Sequence, residues 1–193
     1  MPDETTPSRW NALNIFGVII VAAILALTVL ILTSSSSDDS SGDLNNANPG
    51  EEKTVAVVSK PELLAESADS EDPVYWVGER EGAELELTRI GDGRVYIRYL
   101  TDGAVAADPR SDFLTIGSYP VVNAVQALQR TAATNKSTVL AKSDDGAVML
   151  INKANPSSIY IAYPGADTQI EVYDPDPQVA LELAKSGIVK PVS

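Results

Sequence analysis

The chain has 193 residues, of which 27 are acidic and 14 basic, giving a formal net charge of −13 at pH 7, and it contains neither cysteine nor histidine. These absences exclude disulfides, thiolate nucleophiles, Cys/His zinc sites and every catalytic triad that uses imidazole as its base. No cluster of Lys and Arg is present, so the sequence predicts no nucleic-acid partner.

The first structural signal is an uncharged apolar segment from Leu13 to Thr33. At about 1.5 Å per residue, a helix of this length crosses the roughly 30 Å hydrocarbon layer of a membrane. A buried helix of a soluble protein would be amphipathic, and a cleaved signal peptide would have a shorter apolar region that ends at a small-residue cleavage site. We therefore predict an uncleaved transmembrane helix, a signal anchor, over residues 13–33, with the lipid bilayer as its partner.

The charges that flank this helix predict its orientation. Arg9 and the terminal amine precede it, whereas the first basic residue after it is Lys53. Because positive charge stays on the cytoplasmic side, residues 1–12 are predicted to be a cytoplasmic tail and the rest of the chain to lie outside the plasma membrane of a bacterium. The reverse orientation, with a regulatory domain tethered inside the cell, remains an alternative.

A polar segment at residues 34–53 separates this helix from the rest of the chain. It consists mainly of Ser, Asp, Asn and Gly, and Leu44 is its only large apolar residue, so it is predicted to be a disordered linker. Asp38, Asp39 and Asp43 lack the Asp-x-Asp-x-Asp-Gly spacing of a calcium loop, and we predict no metal site there.

Residues 54–193 are predicted to form one extracytoplasmic α+β domain. Ser59-Lys60-Pro61-Glu62 is a capping box that opens a helix ending near Ala68. Strands are predicted at 73–78, 83–90 and 94–100, and the last two form a hairpin around Gly91-Asp92-Gly93. With Gly93 in the left-handed conformation, Leu87 faces Ile97, and Glu86 faces Arg98 on the solvent side.

An internal repeat follows from this hairpin. Gly82–Tyr99 aligns without a gap onto Gly146–Tyr163, and the matched pairs include Tyr96 with Tyr160 and Tyr99 with Tyr163. The domain is therefore predicted to be a duplicated unit of one helix and four strands, with halves at about 59–117 and 118–173. A chance match between two amphipathic hairpins is the alternative.

The second half supplies the remaining elements. A helix after Pro120 places Val121, Val125, Leu128 and Ala132 on one stripe, and a closing helix is predicted at 177–186 with Gly187 as its stop. The second hairpin carries Val148 and Leu150 where the first carries Glu84 and Glu86, so we expect it to be the more buried copy. The predicted fold is an antiparallel sheet, or sheets, with helices on one face.

The motifs of common enzymes are missing. The folded part contains no Ser-x-x-Lys, no Gly-x-Ser-x-Gly, no Walker loop and no Gly-x-Gly-x-x-Gly. The paired carboxylates Asp144-Asp145 and Asp174/Asp176 flank turns and helix starts, where Asp has a local hydrogen-bonding role. We therefore predict no catalytic, cofactor-binding or metal-binding residue.

Two tyrosines remain as candidates for binding. Tyr96 and Tyr160 fall on the outward face of the predicted sheet, where they would form a paired aromatic surface for a partner. The alternative is that both are half-buried sheet residues under a helix.

Three segments resemble a known group of proteins, namely Pro73–Gly78, Gly93–Leu100 and Ala162–Asp167. They are similar to segments of actinobacterial single-span membrane proteins that share the anchor, the polar tether and the C-terminal domain. This resemblance implies a bacterial plasma membrane and carries over no functional residue. The sequence therefore predicts a membrane-anchored, non-catalytic binding or adaptor module of the cell envelope, and an envelope hydrolase that uses paired carboxylates is the alternative.

Overall fold

A computed structural model of the chain describes residues 53–193. The predicted cytoplasmic tail at 1–12, the transmembrane helix at 13–33 and nearly all of the linker lie outside the described residues. Within 53–193, no helix is both long and apolar enough to cross a membrane.

The described part is α+β, with ten strands and three helices. The strands are β1 (Lys53–Val58), β2 (Tyr75–Trp76), β3 (Glu84–Ile90), β4 (Val95–Leu100), β5 (Thr115–Pro120), β6 (Thr138–Lys142), β7 (Val148–Asn152), β8 (Ser158–Ala162), β9 (Thr168–Tyr173) and β10 (Lys190–Pro191). The helices are α1 (Lys60–Ala68), α2 (Ala124–Thr134) and α3 (Pro177–Lys185).

Eight strands form one antiparallel sheet in the order β1-β3-β4-β5-β9-β8-β7-β6, and β2 pairs with β10 in a separate two-stranded sheet. Counted inward from either edge of the large sheet, the strands follow the same order. In this order β1, β3, β4 and β5 of one half correspond to β6, β7, β8 and β9 of the other. The halves meet where β5 pairs with β9, and Gly117 faces Glu171 there. The sheet therefore has an internal pseudo-twofold arrangement about this pair.

Tyr96 and Tyr160 lie at corresponding positions of this arrangement. Tyr96 pairs with Gly117, and Tyr160 pairs with Glu171. The gapless repeat breaks down beyond these strands, because Ile161 faces Met149 rather than Ile151. The turn between β7 and β8 is longer than the three-residue turn between β3 and β4. The pairing of β7 with β8 is therefore shifted by two residues relative to the pairing of β3 with β4, and each side chain stays on the same face of the sheet.

The helices do not correspond in the same way. Leu63 of α1 and Ala180 and Ala184 of α3 belong to the large core on the face of the sheet that carries Ile97 and Ile161. Leu128 of α2 packs on Leu150 and Ala162, which point to the opposite face because side chains alternate along a strand. The prediction of helices on one face is therefore wrong, and the proposed match between α1 and α2 does not hold. The apolar residues Val148 and Leu150 provide the second face that α2 covers.

The first predicted strand is also misplaced. Tyr75–Trp76 pairs with Lys190–Pro191 across the large core instead of joining the main sheet. The edge position of the first half is taken by β1, a strand that was not predicted and that begins at the last residue of the predicted linker. β1 pairs with β3 along its whole length, from Lys53 opposite Ile90 to Val58 opposite Leu85.

Several local predictions are confirmed. Ser59 and Glu62 form the capping box of α1, and Gly93 has a φ of 89° in a hairpin where Leu87 faces Ile97. In α2, Leu128 is buried, and the other three residues of the predicted stripe pack around it. α3 ends before Gly187, which has a φ of 71°.

Candidate functional site

The face of the sheet that α2 covers carries a row of side chains across its four central strands. Tyr96 of β4, Gly117 of β5, Glu171 of β9 and Tyr160 of β8 are successive neighbours in this row. Tyr119 of β5 lies on the same face and reaches back over Gly117. We call Tyr96, Tyr119, Tyr160 and Glu171 the central cluster.

Glu171 is the polar centre of this cluster, and only 2% of its surface is exposed. The hydroxyl of Tyr119 donates a hydrogen bond of 2.5 Å to its Oε2 atom. The other oxygen, Oε1, is buried and has no hydrogen-bond partner among the described residues. Burial raises the pKa of Glu171 above its ordinary value of 4.5, and the nearby hydroxyls of Tyr119, Ser158 and Tyr160 act in the opposite direction. The arrangement favours a neutral, protonated carboxyl.

The tyrosines of the central cluster contact other residues of the domain. The rings of Tyr96 and Tyr119 pack edge to face with centroids 5.7 Å apart. Burial, and then the neighbouring Glu171, raise the pKa values of both Tyr119 and Tyr160. Tyr160 also packs against the residues under α2.

Tyr96 and Tyr160, the predicted partner-binding surface, are thus on one face, on either side of Glu171, and each is half-buried. Their burial fits the alternative of half-buried sheet residues. That they bind a partner stays a prediction.

A second polar feature of this face lies under the segment that joins β4 to β5, residues 101–114, which we call the arm. Arg98 Nη1 donates to Glu86 Oε1 at 2.8 Å, and Nη2 donates to the carbonyl oxygens of Asp108 and Arg110, each at 2.9 Å. The backbone N–H of Ala107 donates to Glu86 Oε2. The predicted register of Glu86 and Arg98 is confirmed, but their predicted exposure is wrong because the arm covers them.

The burial of Glu86 also bears on the expectation that the second hairpin is the more buried copy. Glu86 is 1% exposed, so the first hairpin buries a carboxylate on this face, while the second buries Leu150. The pair with Arg98 and the amide of Ala107 compensate the charge. Both hairpins are therefore covered, one by the arm and the other by α2.

An open cleft of about 230 Å³ lies at the end of the sheet where β4 and β9 finish. Its lining includes the nearly buried Tyr99 and Phe113, and its charged residues are Arg80, Glu81, Asp112 and Asp174. Desolvation raises the pKa of Asp174, and the positive charge of Arg80 partly opposes this. Asp112 forms an ion pair with Arg110 at 4.0 Å. Within residues 53–193, no ion pair within 4.0 Å includes Arg80, Glu81 or Asp174.

The paired carboxylates noted in the sequence have mostly structural roles. Asp145 accepts hydrogen bonds from Ser143 and Tyr163, and Asp176 caps α3 by accepting from Gln178 N. Asp174 accepts from Asp176 N and also lines the cleft. Across the described part of the chain, no three His, Cys, Asp or Glu side chains group as metal ligands.

Sequence reasoning missed Glu171, the cleft and the arm. Glu171 lies in the alternating segment Thr168–Tyr173, where a carboxylate normally indicates the solvent face. Gly117 was the one available signal, because a glycine inside a strand marks a close approach by another group. The cleft joins residues that are far apart in sequence, so no local pattern indicates it.

Comparison with protein-family models, with curated proteins and with solved structures finds no match to this chain.

Proposed function

We propose that this protein is a single-pass, membrane-anchored binding or adaptor module of the bacterial cell envelope, and that its cleft receives a basic side chain of a partner protein. The anchor is proposed from the apolar segment at residues 13–33. The binding role is proposed from the described domain, and the observation that carries it is the carboxylate of Asp174, which lines the cleft and belongs to no ion pair among the described residues.

The charge of the cleft defines what it would bind. Three carboxylates and one guanidinium line it, so the net charge of its lining is negative, although Arg110 pairs with Asp112 at 4.0 Å. Asp174 is partly desolvated, and among the described residues it has no cationic partner within 4.0 Å. A lysine ammonium or arginine guanidinium placed beside Asp112 and Asp174 would supply that partner. Arg80 at the rim would in turn meet an acidic or carbonyl group beside the bound cation.

The size of the cleft limits the ligand. Pockets for complete small-molecule ligands usually enclose about 300 to 1,000 Å³. A cleft of about 230 Å³ fits one side chain better than a whole cofactor. Ala83, Leu114 and Pro175 in its lining offer apolar contacts for the aliphatic stem of lysine or arginine.

The binding test uses the full chain in lipid nanodiscs and two dye-labelled heptapeptides, one with two lysines and one with glutamines in their place. Fluorescence anisotropy should show binding of the lysine peptide, with a threefold to tenfold loss in Asp174→Asn. This substitution keeps the oxygen that accepts from Asp176 N. Equal binding of the two peptides would contradict the proposal.

A matched control separates the cleft from the general negative charge of the protein. Asp144→Asn removes the same charge from an exposed position whose side chain makes no hydrogen bond among those of the described residues. It should leave the affinity within twofold of the original chain. If it weakens binding as much as Asp174→Asn, the peptide is held by net charge and not by the cleft.

The proposed membrane location has its own test. Protease added to intact spheroplasts should digest the C-terminal domain, while the chain remains in the membrane fraction after carbonate extraction. A domain that survives until the cells are lysed would place it in the cytoplasm and favour the regulatory alternative.

A second candidate, an acid-residue hydrolase, is favoured by one observation. Asp112 and Asp174 line the same cleft, and the pKa of Asp174 is raised, as the general acid of a carboxylate pair requires. Turnover of a panel of nitrophenyl glycosides that disappears in both Asp174→Asn and Asp112→Asn would support it. Binding of the lysine peptide without turnover would support the adaptor.

A further inference from the structure

α2 packs on the second half of the sheet through a small apolar cluster. Ala124 and Leu128 of α2 contact Leu150 and Ala162, and Tyr160 packs at the side of this cluster. Tyr160 is also the neighbour of Glu171 in the central row. The side chain of Tyr160 therefore lies beside both the buried carboxyl of Glu171 and the apolar cluster on which α2 packs.

Among residues 53–193, no positively charged side chain lies beside Glu171 to stabilise its ionised form. β5 contributes Tyr119, β8 contributes Ser158 and Tyr160, and Tyr96 of β4 and Tyr173 of β9 lie further along the sheet. α2 carries a single charged residue, Arg130, which is exposed, and Arg98 is engaged by Glu86 and the arm. Among the described residues, an ionised Glu171 would have the hydroxyls of Tyr119, Ser158 and Tyr160 beside it but no cation, and Oε1 accepts no hydrogen bond.

We propose that Glu171 is a proton-controlled latch for α2. With its proton in place, the carboxyl stays buried, and Tyr160 and α2 pack on the sheet. When the proton is lost, the charged Oε1 requires water, and water reaches it only if Tyr160 and the adjoining part of α2 move away. Since the latch is part of the fold, it does not depend on what the cleft binds.

The direction of the effect follows from linkage. Burial raises the pKa of Glu171 in the folded chain above 4.5, so the folded state holds more protons than the unfolded state at pH values between 4.5 and the raised pKa. The contribution of this group to stability is complete below pH 4.5 and decreases as the pH rises through that interval. The latch is closed in acid and opens toward alkaline pH.

The test is hydrogen–deuterium exchange of the full chain in lipid nanodiscs between pH 5 and pH 9, with exchange rates corrected for the intrinsic effect of pH. Protection of residues 124–134 should fall at least tenfold over this range. Protection of α3, on the opposite face, is the internal control and should stay constant. Constant protection of α2 in the unmodified chain would overturn the proposal.

Two variants separate a latch from a merely structural carboxyl. Glu171→Gln keeps the shape but cannot lose a proton, so α2 should remain protected at pH 9, and a loss equal to that of the original chain would overturn the proposal. If this variant unfolds, Tyr119→Phe decides. The Tyr119→Phe variant removes the hydroxyl that favours the charged form of Glu171, so the loss of α2 protection should move to higher pH. If the loss of protection occurs at the same pH as in the original chain, the proposal is overturned.

Discussion

Gly117 faces Glu171 across the two central strands, and the missing side chain at position 117 is what allows Tyr119 to lie over the sheet and reach the carboxyl. A β-carbon placed on Gly117 would approach Tyr119 Cε2 to 2.9 Å and its hydroxyl oxygen to 3.0 Å. The φ angle of Gly117 lies outside the left-handed region, so this glycine is required for space and not for backbone conformation. The central cluster therefore depends on a residue that makes no polar contact with it.

Gly117→Ala should destabilise the domain by about 2 to 3 kcal/mol, because overpacking displaces Tyr119 and breaks its hydrogen bond to Glu171. Urea unfolding of the full chain in detergent micelles measures this. Replacement of Trp10 by phenylalanine leaves the buried Trp76 as the only tryptophan reporter. Tyr119→Phe, which loses the hydrogen bond without overpacking, should cost less, and an equal cost would contradict the steric explanation.

Arg98→Met should release the arm. It leaves the carboxylate of Glu86 buried without its cation, which typically costs about 3 to 5 kcal/mol, and it removes the two bonds to the carbonyl oxygens of Asp108 and Arg110. Limited trypsin digestion should then cut after Arg110 much faster than in the original chain.

The double variant Glu86→Gln with Arg98→Met provides the control for this release. It removes both charges, so its free energy of unfolding should lie above that of Arg98→Met alone. If the double variant is the less stable of the two, the buried charge of Glu86 is not the source of the cost.

Tyr99 should make the domain sensitive to alkali. Burial raises its pKa to about 12, whereas an unfolded tyrosine titrates near 10. The folded state holds the proton more tightly between these values, so stability decreases as the pH rises from 10 to 12. Urea midpoints measured across this range should fall, and the fall should be smaller in Tyr99→Phe.

The same variant should be less stable than the original chain at neutral pH. The hydroxyl of Tyr99 donates to the carbonyl of Gly78 and accepts from the buried N–H of Val77, both at 3.0 Å. Loss of these bonds leaves the N–H unpaired, at a cost of about 1 to 3 kcal/mol. Tyr173→Phe, which removes one bond to the arm, is the milder comparison.

Gly187→Ala should weaken the contact between the end of α3 and the turn that joins β6 to β7. Gly187 has a φ of 71°, which disfavours any side chain, and a β-carbon there would lie 2.9 Å from both Cβ and Cγ of Asp145. We expect a loss of about 1 to 3 kcal/mol. Thermal unfolding by circular dichroism measures it, with Gly165→Ala as a control that has a positive φ but no neighbour within 4 Å.

Local chemistry made parts of the fold predictable. The capping box of α1, the turn at Gly93 and the stripe of α2 each depend on residues within a few positions of one another. Interactions between residues this close along the chain can be recognised from the local sequence. The matching positions of Tyr96 and Tyr160 were predictable for the same reason, since each belongs to one hairpin.

The layers of the fold were not predictable in this way. Whether α2 covers the same face as α1 depends on which side of the sheet the chain crosses after Pro120, and the strands of the second half are apolar enough to accept a helix on either side. The burial of Glu171 follows from that choice, whereas the burial of Glu86 follows from the path of the arm between β4 and β5. An alternating strand with a carboxylate has the same sequence pattern whether water, an arm or a helix lies above it.

The outermost position of β1 has a mechanical consequence. Any tension that reaches the domain through the chain before Lys53 acts first on β1, which pairs only with β3 at the margin of the sheet. Detachment of β1 would leave the other seven strands paired and uncover the rim of β3 for a new strand. Pulling on this end of the protein would thus create a docking edge before it unravels the core.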